Sequence, residues 1–486
     1  MQSKASVNDE ASDIGINWIS TGNLDFSRYY VENLKKVKPA DIRRVIDKYF
    51  NKNNMTIVML LPETAKNKNN LKDKHFKVNN SLKQYKLDNG IKLIMYEDKN
   101  TELVSVNVLM KGGVLFEEND KKGITYFLSK MLLAGTKKYS KKNLIELFEN
   151  NGGTISTFAG NNSFGIRTLF LKDDTERLLP VIKDILKNSI FPEKEIEKTR
   201  KEIISEIESV SEKLFGIAKI KLFNKMFYNT PYENINIGSV KSIKNITRKD
   251  IVRYYRKFFT KDNVVVSVAG NMDYNIIKSV FGNNIKISSH KLKFNRNIQL
   301  PVKKSITFKT NTDKEQSLLL VSYYGPNVTS EDRYTEEMLW YVLNGQGSRL
   351  FVNLREKREL AYYVGMFPFY GLKAGLMNFY IGTVKNKIDI AHKGMLKEIK
   401  KLIKSGITKQ ELESAKREAL SDKIKEFEGV NNIAFNIGLN YLYGYKDITI
   451  NSYKRRINSI SVAEVNKFIE KYFKYKPWFN LFILGL

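Results

Sequence analysis

The chain has 486 residues, of which 82 are Lys or Arg and 52 are Asp or Glu, and it contains no cysteine. This composition excludes disulfides and thiol chemistry, and the length allows two or more domains with ample cores. A hydrophobic fraction of 42% indicates globular domains, and without a run of 18 apolar residues no transmembrane segment is expected. The net charge of +30 is spread along the chain without a zinc-finger, basic-zipper or RNA-recognition signature, so we expect no nucleic-acid role.

A helix followed by an aromatic pair, a Lys/Asn turn and a strand recurs three times. The copies span 41–63, 250–272 and 464–486, so their starts are 209 and 214 residues apart. Solenoid repeats have periods of about 20 to 50 residues, so a repeat this long indicates a duplicated domain. A fainter repeat relates 102–113 to 315–326, each a candidate strand that leads into a helical region.

The repeat predicts a tail and two domains. Residues 1–63 are the tail of a preceding domain, 64–81 a linker, 82–285 the first complete domain and 300–486 the second, with another linker at 288–301. A helix and one strand cannot bury a core of their own, so we expect the tail to need missing sequence or another chain. Strands interleaved with helical pairs predict an α+β fold in which each domain has a sheet on one side and helices on the other.

The first domain opens with a hairpin at 85–94, where Asn89 and Gly90 suit a type I′ turn. A strand at 103–110 follows. Further helices are expected at 142–149, 176–189 and, as one long charged helix, at 192–223.

A short amphipathic helix is predicted at 123–136. Its apolar residues recur at the spacing of a buried stripe and are Ile124, Phe127, Leu128, Met131 and Leu132. Gly135 occupies the place of a left-handed C-terminal cap. The opposite face carries Tyr126, Ser129 and Lys130, which we expect to point away from the packed side, where a site could lie.

The order of features around this helix resembles the insulinase/pitrilysin family of zinc peptidases. The shared features are the strand at 103–110, Lys-Gly-Gly at 111–113, Glu-Glu at 117–118, the helix and Leu-Ala-Gly-Thr at 133–136. Family members carry the zinc motif His-x-x-Glu-His on this helix. The resemblance implies that Tyr126, Ser129 and Lys130 stand at the positions of the first His, the Glu and the second His.

These replacements predict that the chain holds no metal. A lysine ammonium has no free lone pair, and the three histidines, His75, His290 and His392, are not within helical reach of one another. The resemblance places the family's third ligand at Glu206. One carboxylate without histidines is a poor zinc site, so we expect Glu206 to be a remnant that pairs with Lys130.

A second stretch, 345–364, resembles the family motif in which an Arg and a Tyr seven residues later project into the catalytic chamber. Here they are Arg355 and Tyr362, which the resemblance implies bind substrate, because a guanidinium and a phenol can donate hydrogen bonds to peptide carbonyls and to an oxyanion. Glu359 departs from the family pattern, where Gly or another tolerant residue is usual just before Leu, and this departure leaves the pair intact. By spacing alone, Tyr362 would pack in a core and Arg355 would be solvated.

The resemblance implies two homologous sheet-plus-helix domains of the insulinase/mitochondrial-processing-peptidase type. It also implies a role as the non-catalytic half of a zinc metalloendopeptidase that binds peptide substrates and is inactive alone. An N-terminal half or partner subunit with an intact His-x-x-Glu-His would then hold the zinc.

Two other functions stay open. One is a catalytically inactive binding or scaffold protein of the same fold, and the other is a nucleic-acid binder with steeply salt-dependent retention on DNA. The compartment is also open. A complete chain would be cytoplasmic, and a signal peptide on missing N-terminal sequence would direct the protein to the periplasm or outside the cell.

Overall fold

An N-terminal unit, Met1–Lys77, and a C-terminal unit, Val78–Leu486, are the two compact parts of the computed structural model. The structure describes residues 7–50, 82–282, 285, 287–290, 292 and 298–486. In the N-terminal unit the helices are α1 (Val7–Thr21), α2 (Phe26–Leu34) and α3 (Pro39–Tyr49). No hydrophobic side chain described in 11–50 is buried. The strand expected at the end of the tail and the whole linker at 64–81 lie outside the described residues.

The C-terminal unit contains two mixed sheets. The first has the order β1-β2-β6-β3-β5-β4 and the second the order β7-β11-β8-β10-β9. The strands of the first are β1 (Leu82–Lys86), β2 (Lys92–Glu97), β3 (Leu103–Lys111), β4 (Thr154–Ala159), β5 (Ser163–Leu171) and β6 (Val264–Gly270). Those of the second are β7 (Ile306–Asn311), β8 (Ser317–Gly325), β9 (Tyr363–Tyr370), β10 (Gly375–Thr383) and β11 (Phe479–Leu484).

Helices cover both sheets. Those in 82–282 are α4 (Ile124–Met131), α5 (Lys141–Glu149), α6 (Thr175–Asn188), α7 (Glu193–Glu212), α8 (Leu214–Met226), α9 (Val240–Asn245), α10 (Arg248–Phe258) and α11 (Tyr274–Ile277). Those in 298–486 are α12 (Asp332–Leu343), α13 (Ile388–Ser405), α14 (Lys409–Glu426), α15 (Val430–Tyr443), α16 (Ile450–Ser459) and α17 (Val462–Phe473). The predicted α+β class is confirmed.

The internal repeat is visible in the strand pairing. β6 pairs parallel with β2 and antiparallel with β3, and β11 pairs in the same way with β7 and β8. The preceding helices also begin alike, since the hydroxyls of Thr247 and Ser461 accept hydrogen bonds from the first turns of α10 and α17. The boundaries 82–285 and 300–486 stay predictions, and residues 291 and 293–297 of the linker at 288–301 lie outside the described residues.

The hairpin expected at 85–94 is present, because β1 and β2 pair antiparallel. Its turn is not type I′. That turn needs a positive φ at both central residues, and only Gly90 has one, at +90°. The side-chain amide of Asn89 donates a hydrogen bond outside the turn, to the carbonyl of Phe281, 2.7 Å away.

The single helix expected at 192–223 is wrong, because Lys213 is extended, with ψ at 135°, and divides it into α7 and α8. After this break α8 packs on β8 and β11 of the second sheet. Its counterpart α15 packs on β2, β3 and β6 of the first sheet. The two halves therefore exchange one helix each, and burial of both helices favours the break over a continuous helix.

Candidate functional site

The site helix α4 is fixed at its N-terminus by a buried carboxylate. Glu117, 7% exposed, accepts hydrogen bonds from the backbone N–H of Gly123 (2.9 Å) and of Thr125 (3.0 Å). Gly123 has φ at +89°, and a Cβ there would lie 2.6 Å from the carbonyl oxygen of Ile237. Burial raises the pKa of Glu117, which its hydrogen bonds and Lys122 oppose. Glycine and carboxylate together set where the helix starts.

The predicted apolar stripe of α4 is confirmed, since all its residues are buried. The predicted C-terminus is wrong, because the helix ends at Met131. Gly135 has a positive φ, +133°, but it forms a β-bridge with Ser140 and does not cap the helix. The helix is therefore shorter than its apolar pattern suggested.

Two side chains of the opposite face meet Glu206 of α7. The phenol of Tyr126 donates to Oε2 of Glu206 and the ammonium of Lys130 donates to Oε1, each at 2.7 Å. This confirms the expected pairing of Glu206 with Lys130. Burial, followed by the carboxylate, raises the pKa of Tyr126, so the phenol stays protonated and keeps donating its hydrogen bond.

Ser129 does not join this network. Its side chain is buried, 2% exposed, and its hydroxyl donates to the carbonyl of Tyr126 at 2.8 Å. The expectation that all three polar residues point into open space is therefore wrong for Ser129. A serine within a helix can donate to its own backbone, which removes the need for an outside partner.

Arg355 and Tyr362 lie at either end of one turn in residues 298–486, the part of the C-terminal unit that contains the second sheet. Arg355 is exposed within the π-helical segment Phe351–Glu356, and its guanidinium carbon lies 4.9 Å from the ring centroid of Phe351. Tyr362 is 50% exposed and precedes β9. No hydrogen bond joins their side chains in the described part of the chain. The alternative in which Tyr362 packs in a core is not supported, because half of this residue is open.

The turn between them is held by its backbone. The N–H groups of Glu359 and Leu360 donate to the carbonyls of Arg355 and Leu354. Glu359 has φ at +51°, a left-handed backbone conformation that favours glycine.

Sequence reasoning missed the ion pair that fixes the start of the Arg355 segment. The guanidinium of Arg349 contacts both carboxylate oxygens of Glu411 at 2.6 Å and donates to the carbonyl of Gly406. The partners are 62 residues apart, and no local spacing could have linked them. The capping box of Thr408 and Glu411 is a sequence signal that identifies only the start of α14.

The chain matches two protein-family models. One, described as "Insulinase (Peptidase family M16)", matches residues 92–239, and the other, "Peptidase M16 inactive domain", matches residues 245–419. The chain belongs to the insulinase family. The recognition of that family from the sequence is therefore confirmed.

Two relatives and one solved structure are similar to this chain over most of its length. An uncharacterized zinc protease of Rickettsia felis is 28% identical over 360 residues, 73% of this chain and 86% of that protein. A non-peptidase homolog, YmxG, of Helicobacter pylori is 23% identical over 399 residues, 78% of this chain and 88% of that protein. The crystal structure of a protease from H. pylori has a TM-score of 0.76 at 19% identity over 83% of this chain and 99% of that chain, and so shares the fold.

The zinc of insulinase-family proteases does not fit the side chains at this site. Tyr126 is held as a neutral phenol, Lys130 is a cation, and both oxygens of Glu206 already accept hydrogen bonds from them. Zinc requires neutral imidazole, thiolate or carboxylate donors with free lone pairs. Elsewhere in the described ranges, His, Cys, Asp and Glu side chains form no group of three or more that could hold a metal.

The described helices also bear on membrane association. None of them combines the length and the apolar character that a membrane-spanning helix requires.

Proposed function

We propose that this chain is the non-catalytic half of an insulinase-family zinc metalloendopeptidase. It binds peptide substrate in a chamber that is completed by an N-terminal half or partner subunit, and that partner holds the zinc on an intact His-x-x-Glu-His. The observation that carries this proposal is the network of Tyr126, Lys130 and Glu206, in which a cation of the protein takes the place of a metal ligand.

Arg355 and Tyr362 support the substrate-binding part of the proposal. Both are exposed and lie at the two ends of one backbone-held turn. A guanidinium has five N–H donors and a phenol has one, and both can donate to a peptide carbonyl and to the oxyanion of a tetrahedral intermediate. These two residues therefore need no metal of their own to act on a peptide bound at a partner's zinc.

The N-terminal unit supports the existence of a partner. α3 is the first copy of the repeated helix, and Ile42 and Val45 are 54% and 39% exposed. The residues at the same places in α10 and α17 are 0–3% exposed and are Ile251, Tyr254, Val465 and Phe468. α10 packs on α4, and α17 packs on α12. By analogy, α3 would pack on the corresponding helix of a peptidase-like domain outside this chain.

The test is recovery of the tagged chain from its native cells, with zinc and cleavage of a mixed peptide library measured on the eluted complex. We expect zinc and chelator-sensitive activity to arrive with a second polypeptide that contains His-x-x-Glu-His. In that complex Arg355→Ala should lower kcat/KM by about 10²-fold, as loss of an oxyanion donor does. Arg358→Ala, a matched change at an exposed neighbour, should leave it within about twofold. Zinc-dependent cleavage by the purified chain alone would contradict the proposal.

The alternative is an inactive scaffold protein of the same fold, and the relative named as a non-peptidase homolog favours it. A chain that is recovered without zinc or activity, whether alone or with unrelated proteins, would support this alternative.

A further inference from the structure

A basic groove lies between α6 and α10 in the first half of the C-terminal unit. It includes the segment that follows α6 and the neighbouring Ser288 and His290. Its volume is about 1360 Å³, larger than the roughly 300–1,000 Å³ of small-molecule pockets. Its lining shares no residue with the network of Glu206 or with Arg355 and Tyr362. This volume suits a segment of a polymer better than a small metabolite.

The charged residues that line the groove are all basic: Lys137, Lys183, Lys187, Arg248 and Arg256. Among the described residues, the three lysines and Arg256 form no ion pair with a carboxylate. The guanidinium of Arg248 donates to the carbonyls of Ile190 (2.8 Å) and Phe191 (2.9 Å), which leaves its charge uncompensated. A concave surface lined by one sign of charge concentrates ligands of the opposite sign.

Between the basic residues the groove is apolar, with Leu186, Ile190, Phe191, Val252 and Phe259 in its lining. A nucleic-acid strand would need free aromatic faces for base stacking. The one tyrosine of the groove, Tyr255, already stacks one face of its ring on Phe259.

That tyrosine, Tyr255, is held by its neighbours. It stacks on Phe259, with ring centroids 5.6 Å apart and planes at 8°, and meets Phe191 edge-on at 5.4 Å. Its hydroxyl donates to the carbonyl of Leu186. Beside this cluster, the half-buried side chains of Val252 and Ile190 give the groove apolar surface, which suits an aliphatic or aromatic side chain of a bound peptide.

We propose that this groove binds an acidic, extended peptide segment of a partner protein. Its carboxylates pair with Lys183, Lys187 and Arg256, and an apolar side chain lies against Val252 and Ile190. Opposite charge accelerates the encounter, and burial of the apolar side chain lengthens the lifetime of the complex. The groove would then be a docking surface in addition to the proposed peptide-binding chamber, and it does not depend on that chamber.

The test is fluorescence anisotropy on the full chain at about 0.15 M salt, where long-range attraction between exposed charges is largely screened. The probe is a labelled peptide of about 12 residues, rich in Asp and Glu, with a central Leu-Phe pair. A second peptide carries Ser-Ser instead. We expect the first to bind at least about fivefold more tightly, because it buries apolar area.

The variant Lys183→Glu/Lys187→Glu should weaken probe binding by at least about tenfold, because two attractive contacts become repulsive. Lys393→Glu/Lys397→Glu on α13 is the matched control, since it changes the net charge equally outside the groove, and it should stay within about threefold. Lys137→Glu/Arg256→Glu provides a second pair at the groove if the first fails to fold, as judged by circular dichroism. Equal weakening by groove and control variants would overturn the proposal.

Two further results would also overturn it. Equal affinity for the Leu-Phe and Ser-Ser peptides would show that the apolar surface takes no part. Tighter binding of a DNA duplex, lost in the groove variant and kept in the α13 variant, would assign the groove to nucleic acid.

Discussion

The ammonium group of Lys130 lies 2.7 Å from Oε1 of Glu206, and this ion pair joins the helix that would carry the zinc motif to the helix that would carry the third ligand. Tyr126, one turn earlier on α4, reaches the other oxygen of the same carboxylate. Positions 126 and 130 therefore converge on Glu206, although neither side chain is a metal ligand.

This convergence predicts that a zinc site can be rebuilt. We expect the triple variant Tyr126→His, Ser129→Glu and Lys130→His to bind about one zinc per chain, with Glu206 as the third ligand, because the two imidazoles would face the carboxylate from adjacent turns. Zinc content after dialysis, measured by mass spectrometry, checks this. The control adds Glu206→Ala, which removes one of three ligands and should leave the protein nearly zinc-free. A folded triple variant that binds no zinc would show that the backbone of α4 is displaced from a ligating geometry.

Local sequence patterns predicted much of this site. The apolar stripe of α4 indicated which face is buried, whereas the pairing of Lys130 with Glu206, 76 residues apart, was expected from the resemblance to the insulinase family. The break at Lys213 could not be predicted, because 193–226 is locally helical and the break depends on burial of α8 against strands more than 90 residues away. The burial of Ser129 was missed because its hydroxyl is satisfied within its own helix.

The break between α7 and α8 depends on a glycine. A Cβ at Gly216 would lie 1.8 Å from the carbonyl oxygen of Val210, so the two helices can approach each other only if residue 216 has no side chain. We expect Gly216→Ala to lower the free energy of unfolding by about 1–3 kcal/mol, the usual cost of overpacking. Denaturant unfolding measures it. Gly347→Ala, where a Cβ meets nothing within 4 Å, should change stability by less than about 0.5 kcal/mol. Equal changes in the free energy of unfolding for Gly216→Ala and Gly347→Ala would mean that α7 and α8 can move apart without loss of stability.

A buried carboxyl in α12 should make stability depend on pH. Glu336 is fully buried, neither of its oxygens makes a hydrogen bond of normal length among the described residues, and burial raises its pKa well above 4.5. Above the unfolded pKa the unfolded chain releases the proton while the folded chain retains it, so stability falls as pH rises toward the folded pKa. Glu336→Gln removes the titrating group and with it this loss of stability at high pH.

We therefore expect Glu336→Gln to raise Tm relative to the parent chain more at about pH 8 than at about pH 5. Glu331→Gln, at an exposed position just before α12, removes the same charge without the burial and should show no such trend. A pH-independent difference for Glu336→Gln would mean that this carboxyl titrates alike in the folded and unfolded states, so that burial does not raise its pKa.

The turn between Arg355 and Tyr362 stores backbone strain at Glu359. A non-glycine residue at φ +51° costs about 1–2 kcal/mol of folding free energy, which a glycine would not pay. The greater freedom of glycine in the unfolded chain would offset about 0.5–1 kcal/mol of this stabilisation. We expect Glu359→Gly to stabilise the protein by up to about 1 kcal/mol in denaturant unfolding. Lys357→Gly, two residues earlier at φ −76°, relieves no strain and should destabilise it by about 0.5–1 kcal/mol. If the Glu359→Gly and Lys357→Gly variants were destabilised equally, the side chain of Glu359 would stabilise the folded protein by more than its backbone strain costs.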